Sequence, residues 1–182
     1  MPNETAIAAQ PIDGDKVYQE RARRALPILV RQAMAHRPIF YADLAAELQM
    51  PNPRNLNYVL GSVGQGLLKL EEKWAEKIPP IQCLVINKAS ELPGDGIGWF
   101  ISEGDFRNLP KCDQRALVDS KLAEIFSYQK WHHVLLALDL PEPKYLQADL
   151  ISAARKFGGG ESDASPSGGR PGNEPFARPL RY

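Results

Sequence analysis

Residues 41–61 read YADLAAELQMPNPRNLNYVLG, and this stretch decides the expected fold. On both sides of its prolines, apolar residues recur at steps of three to four, which is typical of two short amphipathic helices. Met50-Pro51 ends the first helix, while Asn52 is a favoured N-cap residue and Pro53 suits the first helical position. Two helices joined by so tight a turn predict a helix-turn-helix.

The start of the second helix is the candidate binding surface. Its first exposed side chains should be Arg54, Asn55 and Asn57, which are suited to phosphate oxygens and base edges. The same pattern also fits a pair of core helices with a polar surface. The pattern alone therefore leaves a DNA-binding unit and a plain helical scaffold equally open.

The charge balance excludes a generic polyanion binder. The chain of 182 residues has 22 basic and 22 acidic residues, so its formal net charge is zero and any basic surface must be local. One basic run lies in residues 16–37, where Glu20 is the only acidic residue among six basic ones: Lys16, Arg21, Arg23, Arg24, Arg31 and Arg37. Such a run indicates either an electrostatic footprint or a solvated helix face.

The cysteines and the hydropathy pattern limit the protein class. Cys83 and Cys112 have neither disulfide-framework nor metal-site spacing, so we expect a reducing compartment with no metal and no cofactor. Residues 1–15 lack the features of a signal peptide, and no apolar run is long enough to span a membrane. These features favour a cytoplasmic protein without a membrane partner.

The remaining pattern predicts an α+β, mostly helical fold. Residues 16–36 form an amphipathic helix that Pro27 should kink or restart, and Gly64 and Gly66 should end or break the second helix of the turn unit. Residues 81–86 and 97–101 should pair as a small hairpin. Three helices and a hairpin make a winged helix-turn-helix core.

Three further helical segments, 114–126, 131–138 and 144–156, should form a C-terminal helical cap on this core. The expected organisation is a flexible N-terminus over residues 1–13, one domain over 14–156, and a tail over 157–182. The tail should be disordered, because from Gly158 onward it holds six glycines and four prolines with few bulky residues.

Several of these segments together resemble a known family over residues 16–101. The matching pieces are residues 40–45 (FYADLA), Asn52-Pro53-Arg54 with Val59 and Gly61, and Ile78-Pro79 or Pro80 before the apolar run. In this order they are similar to the C-terminal DNA-binding domain of alkylguanine-DNA alkyltransferases and to the catalytically silent alkyltransferase-like proteins. The resemblance implies a winged helix-turn-helix that enters the DNA minor groove and supports an extruded base.

The chain departs from this family at its chemistry. The family's second helix carries an arginine that fills the gap left by the flipped nucleotide, whereas Asn57 occupies the nearest matching position here. Where the family has proline-cysteine-histidine-arginine, this chain has Pro80, Ile81, Gln82 and Cys83. Ile81 therefore replaces the alkyl acceptor and Gln82 replaces the activating histidine, so the resemblance does not imply alkyl transfer.

A second resemblance lies at residues 156–162, KFGGGES. It is similar to the junction in longer bacterial proteins where such a module precedes a nuclease-like domain. The segment here continues into a tail rich in serine, glycine and proline. On this interpretation the chain is a targeting module, and a nuclease or another protein is a candidate partner.

Neither cysteine stands out as a catalytic group. Cys83 lies in an apolar run, where a free cysteine is usually an inert hydrophobe, and Cys112 near a helix start has no evident base beside it. A thiol enzyme remains a third class of function, which thiol labelling would test.

The favoured function is a non-catalytic DNA-binding or DNA-lesion-sensing module in a bacterial-type cytoplasm. The alternative is a protein-interaction scaffold without nucleic-acid binding, which the zero net charge supports. The candidate DNA-binding residues are Arg54, Asn55 and Asn57 at the groove, Tyr41 and Tyr58 near the DNA backbone or an unstacked base, and Arg21, Arg23, Arg24 and Lys88 at phosphates.

Overall fold

The computed structural model describes residues 8–101 and 106–144 and is mostly helical. Its helices are α1 (Val17–Met34), α2 (Tyr41–Glu47), α3 (Leu56–Trp74), α4 (Gly98–Ile101), α5 (Lys111–Ser127) and α6 (Trp131–Ala137). Its strands are β1 (Ile39–Phe40) and β2 (Val85–Ile86), and its 3₁₀ turns are Pro53–Asn55, Ile81–Leu84, Asp95–Ile97 and Phe106–Asn108. The α+β, mostly helical prediction is therefore confirmed at this level.

The core lies mainly between α1 and α3, which pack against each other. Leu26, Leu29 and Val30 of α1 and Val59 and Val63 of α3 are fully buried there. Helix α1 runs continuously through Pro27, which is buried. Among the described residues, no helix is both long and apolar enough to cross a membrane.

Helix α3 does not break at its glycines, so that part of the prediction is wrong. The helix continues to Trp74 and ends at Ala75, which adopts a left-handed conformation with φ 51°. A Cβ atom on Gly64 would lie 2.3 Å from the Phe100 ring, and one on Gly66 would lie 2.9 Å from Cγ2 of Ile12. Close packing therefore explains both glycines, and it offsets their poor helix propensity.

The predicted hairpin is also wrong. Of the first predicted strand only β2 is extended, and it pairs in parallel with β1, so that Ile39 lies opposite Val85 and Phe40 opposite Ile86. The second predicted strand is helical, since Asp95–Ile97 and α4 occupy its place. Gly98 allows this close packing, because a Cβ atom there would lie 2.6 Å from Cβ of Phe106.

The N-terminal segment is more ordered than expected. Ala9 and Ile12 are buried, and the Gln19 side chain donates a 2.5 Å hydrogen bond to the carbonyl oxygen of Pro11. These contacts place residues 9–12 against α1 and α3, in a segment for which the sequence predicts flexibility. Residues 1–7, the predicted helix 144–156 beyond Lys144, and the predicted tail 157–182 lie outside the described residues.

The first two cap helices are present as α5 and α6. Val118 and Ile125 of α5 and Trp131 and Val134 of α6 are buried and join the common core. The Trp131 indole nitrogen donates a 3.0 Å hydrogen bond to the carbonyl oxygen of Ile125, which closes the turn between the two helices. The cap and the turn unit therefore share one hydrophobic core.

Candidate nucleic-acid interface

The turn before α3 forms as the sequence predicts. The Asn52 side chain accepts a 3.0 Å hydrogen bond from the backbone N–H of Arg54, and Pro53 opens the 3₁₀ turn that leads into α3. The side chains of Arg54, Asn55 and Asn57 are all exposed. Because the turn is capped from within, these three side chains are free to contact a ligand.

The charge around this turn is compatible with a polyanion. No acidic residue occurs between Glu47 and Glu71, a stretch that covers the turn and most of α3. Arg54 is therefore not opposed by a carboxylate within its own segment. Phosphate groups prefer such sites, because a cation can reach them without competition from a neighbouring acid.

Tyr58 continues the exposed surface along α3. Its side chain is 45% exposed, and its ring lies 5.9 Å from the ring of Tyr18 on α1, measured between centroids. The ammonium of Lys16 lies 6.0 Å from the Tyr18 ring centroid. A tilted pair of tyrosines beside a cation offers a surface on which an unstacked base could pack.

A polar cleft opens beside the turn unit, between α3 and residues 93–97. Its lining includes Tyr41, Asn57, Gln82 and Phe100, and none of its lining side chains in the described part of the chain is charged. The depression has an empty volume of about 390 Å³ that includes open solvent, and the part of it that encloses a water molecule is about 30 Å³. The structure thus brings two of the predicted residues, Tyr41 and Asn57, to one cleft.

Tyr41 fixes the loop that forms the outer wall of the polar cleft. Its hydroxyl oxygen accepts a 3.1 Å hydrogen bond from the backbone N–H of Gly94. A Cβ atom on Gly94 would lie 2.8 Å from this hydroxyl, so only glycine allows the contact without a shift. Burial raises the pKa of Tyr41, so the hydroxyl keeps its proton at neutral pH and can donate a hydrogen bond to a ligand.

Gln82 lies at the base of the polar cleft and was not among the predicted site residues. Gln82 is only 3% exposed. Neither atom of its side-chain amide has a hydrogen-bond partner in the described part of the chain. Buried amides in folded proteins normally have hydrogen-bond partners, so Gln82 is a candidate to bond a ligand. The sequence signal was a single polar residue within an apolar run.

The predicted phosphate contacts on α1 are spread over different surroundings. One guanidinium nitrogen of Arg23 donates hydrogen bonds of 2.7 and 2.6 Å to the carbonyl oxygens of Ile12 and Gly14, so this side chain holds the N-terminal segment. Arg24 is exposed and Arg21 is half-buried on the same helix. On α1, Arg24 is the residue best placed to reach a phosphate.

Lys88 lies on a separate surface, in the turn that follows β2. It is exposed, and the side chain of Asn87 shapes this turn by accepting a 2.9 Å hydrogen bond from the backbone N–H of Ala89. The guanidinium of Arg115 on α5 donates a 3.2 Å hydrogen bond to the carbonyl oxygen of Ser90. The turn is therefore anchored while the Lys88 side chain is presented to solvent.

The two cysteines have different surroundings. Cys83 is fully buried in the core, and this burial raises the pKa of its thiol, which therefore stays protonated and unreactive. Cys112 is exposed, and its Sγ lies 3.5 Å from a carboxylate oxygen of Asp113. Among the described residues, no three His, Cys, Asp or Glu side chains are placed to hold a metal ion.

Comparison of the chain with protein-family models, with curated proteins and with solved structures gives no significant match.

Proposed function

We propose that this protein is a non-catalytic DNA-binding module of alkyltransferase-like type that detects DNA lesions by accepting an extruded base. The observation that carries the proposal is the joining of two surfaces. We call residues 54–57, which end the 3₁₀ turn and begin α3, the tip of α3. The exposed side chains of this tip, Arg54, Asn55 and Asn57, lie next to the uncharged polar cleft, and Asn57 belongs to both.

The two surfaces suit the two parts of a nucleotide. Phosphates are bound by exposed cations and polar side chains, which the tip of α3 supplies. A base is uncharged and presents hydrogen-bonding edges, which match the hydroxyl of Tyr41 and the amides of Asn57 and Gln82. Entry of a base requires outward movement of residues 93–97 or of Phe100, because the cleft as it stands has too little closed space.

The proposed fold is a variant of the winged helix. Helices α1, α2 and α3 take the places of the three helices, and residues 87–97 take the place of the wing without forming a hairpin. A cytoplasmic location and a nuclease or other protein partner belong to the same proposal. The predicted resemblance to alkyltransferase-like proteins supports it through Tyr41 and the Asn52-Pro53-Arg54 turn.

Fluorescence anisotropy with a labelled DNA duplex at several salt concentrations tests the binding. Arg54→Ala should weaken binding and reduce the slope of log K against log salt by about 1, because one phosphate contact is lost. Lys73→Ala is the matched control, since it removes one exposed cation from the far end of the same helix. Equal affinity and slope in the two variants would contradict the proposed interface.

A second duplex with one mispaired base tests the extrusion step. A mispaired base costs less to unstack, so the wild-type protein should prefer this duplex to the fully paired one. Asn57→Ala should reduce that preference, whereas Arg54→Ala should weaken binding to both duplexes alike. A wild-type protein that binds the two duplexes equally would leave DNA binding without lesion sensing.

The second candidate function is a protein-interaction scaffold. It is favoured by the zero net charge and by two exposed apolar side chains, Leu136 at 70% and Trp99 at 45% exposure. Binding through such side chains should change little with salt, whereas DNA binding should weaken steeply. The salt series described above therefore also separates the two functions.

A further inference from the structure

A second cleft lies on the other side of Gln82, between α3, residues 76–82 and the C-terminal end of α5. We call it the α3–α5 cleft, and its lining includes Gly64, Leu68, Pro79, Gln82, Ser127 and Tyr128. The space inside it that a water molecule can enter is about 480 Å³, compared with about 30 Å³ in the polar cleft. That volume lies in the range of small-molecule sites in proteins, roughly 300–1,000 Å³.

The Gln82 amide belongs to this cleft as well as to the polar cleft. A Cβ atom on Gly64 would lie 2.6 Å from Nε2 of Gln82, so the amide nitrogen lies directly against Gly64. Gly64 lines the α3–α5 cleft and is not part of the polar cleft. The amide nitrogen therefore lies behind the wall of the larger cleft, covered by its neighbours and with no partner in the described part of the chain. A ligand in the cleft reaches it only when a side chain of the wall moves aside.

The charged groups around the α3–α5 cleft largely neutralise one another. Lys121 bonds Glu124 at 2.7 Å, and Lys130 bonds Glu76 at 2.5 Å. These pairs leave little net charge to attract an ion.

The two remaining charged residues of the lining, Glu71 and Lys77, carry opposite charges. A carboxylate oxygen of Glu71 accepts a 2.6 Å hydrogen bond from the backbone N–H of Ile78, and Lys77 is exposed at the rim. Burial raises the pKa of Tyr128 to about 12, and the carboxylates of Glu76 and Glu71 act in the same direction, so its hydroxyl is neutral at pH 7.

Part of the cleft wall is apolar. Leu67, Leu68, Ile78 and the ring of Phe100 contribute to it. A ligand that fits must therefore place an apolar body against these side chains and offer both a donor and an acceptor to one amide. Carboxamides and lactams have this edge, because their N–H and C=O groups lie side by side.

We propose that the α3–α5 cleft binds a small neutral molecule that joins an apolar ring to a carboxamide or lactam group, with Gln82 as its hydrogen-bonding partner. This site shares Gln82 and Phe100 with the polar cleft of the proposed DNA interface, but the proposal does not rest on DNA binding. It holds whether or not the protein binds DNA.

Titration with benzamide, followed in ¹H–¹⁵N spectra of the full chain, tests the proposal. The side-chain NH₂ signals of Gln82, assigned by their loss in Gln82→Leu, should shift saturably at benzamide concentrations on the order of millimolar, as expected for so small a ligand. Benzoate has the same ring without an N–H donor and should bind at least tenfold more weakly. Equal binding of the two probes, or no saturable shift with benzamide, would overturn the proposal.

Two variants place the probe in one cleft or the other. Ser127→Trp fills the α3–α5 cleft from its exposed rim and should abolish the shift, while Asn57→Ala alters the polar cleft alone and should leave it unchanged. Retention of the shift in Ser127→Trp, or its loss in Asn57→Ala, would overturn the assignment to this cleft. Circular dichroism of each variant checks that the fold is intact.

Discussion

The tip of α3 and the middle of α3 differ in how tightly their surroundings pack. At the N-terminal end, Arg54, Asn55 and Asn57 are exposed and the turn is capped by Asn52. In the middle of α3, Gly64 and Gly66 lie where neighbouring side chains leave no room for a Cβ atom. The exposed side chains at the tip can thus change with little cost to the fold, whereas the middle of the helix is constrained by packing. Binding and stability therefore depend on different residues of this region.

The largest expected effect is a loss of stability on substitution in the packed middle of α3. Gly64→Ala should destabilise the fold by about 2 kcal/mol, because the new methyl group overlaps the Phe100 ring and the Gln82 amide by more than helix propensity can offset. Gly66→Ala is the matched control and should cost under about 1 kcal/mol, since its overlap with Ile12 is smaller and the gain in helix propensity is the same. Urea denaturation measures both. A larger cost at Gly66 would reverse the order of packing proposed here.

The next largest effect on stability concerns the turn that supports the tip of α3. Asn52→Ala should destabilise the protein by about 1 kcal/mol, because the backbone N–H of Arg54 loses its acceptor. Asn55→Ala should change the free energy of unfolding by less than about 0.3 kcal/mol, since Asn55 makes no side-chain cap bond and its surface is exposed. Thermal unfolding of the two variants side by side compares them. Similar losses in both would show that the cap does not hold this turn.

A smaller effect on stability comes from the ion pair between α3 and the N-terminal segment. Lys69 Nζ lies 2.6 Å from Oδ2 of Asp13, and this hydrogen bond lowers the pKa of the Asp13 carboxyl from its usual value. Its contribution is therefore present above the unfolded pKa and is lost as the pH falls through the lower folded value. Because both side chains are exposed, we expect Asp13→Asn to cost no more than about 0.5 kcal/mol at pH 7.

Stability of wild-type protein and of Asp13→Asn, measured between pH 7 and pH 2, follows this ion pair. The two curves should differ at pH 7 and converge as the acid is titrated. A constant difference down to pH 2 would mean that Asp13 acts through packing and not through its charge.

The smallest expected effect is the sharpest test of the contrast. The triple variant Arg54→Ala, Asn55→Ala and Asn57→Ala should unfold within about 0.5 kcal/mol of the wild type, because exposed side chains without essential contacts rarely affect stability more. The measurement is urea denaturation beside the anisotropy series for DNA. A substantial loss of stability would show that the tip of α3 also supports the fold, and any loss of DNA binding would then need another explanation.

Local sequence rules predicted the turn unit well. The cap at Asn52 and the first-turn position of Pro53 depend on the nearest few residues, so the pattern carries enough information to place them. The same rules failed at Gly64 and Gly66. Propensity describes an isolated helix, whereas the role of these glycines depends on Phe100 and Ile12, which are distant in sequence.

The hairpin failed for a related reason. A short apolar run does not reveal its partner, and here Val85–Ile86 pairs with Ile39–Phe40, which lies far earlier in the chain. The segment before it, Ile81–Leu84, is a buried 3₁₀ turn, because its side chains fill the space beside α1. Sequence periodicity gave no sign of this arrangement.

The candidate site was predicted in part. Tyr41 and Asn57 were chosen from helix polarity and from matched motif position, and both line the polar cleft. Gln82 was noted as a replacement for a histidine and was not assigned a binding role, because its exceptional feature is an amide without partners. That feature exists only once the surrounding residues have packed.

The segment of residues 8–14 has a consequence for biosynthesis. Ile12 rests against Gly66, and Asp13 pairs with Lys69, so this segment leaves the ribosome well before the surface on which it settles has been made. During translation the nascent chain must keep these residues unattached until α3 has emerged and joined α1. A stalled or shortened chain that lacks α3 would therefore present them to chaperones and proteases.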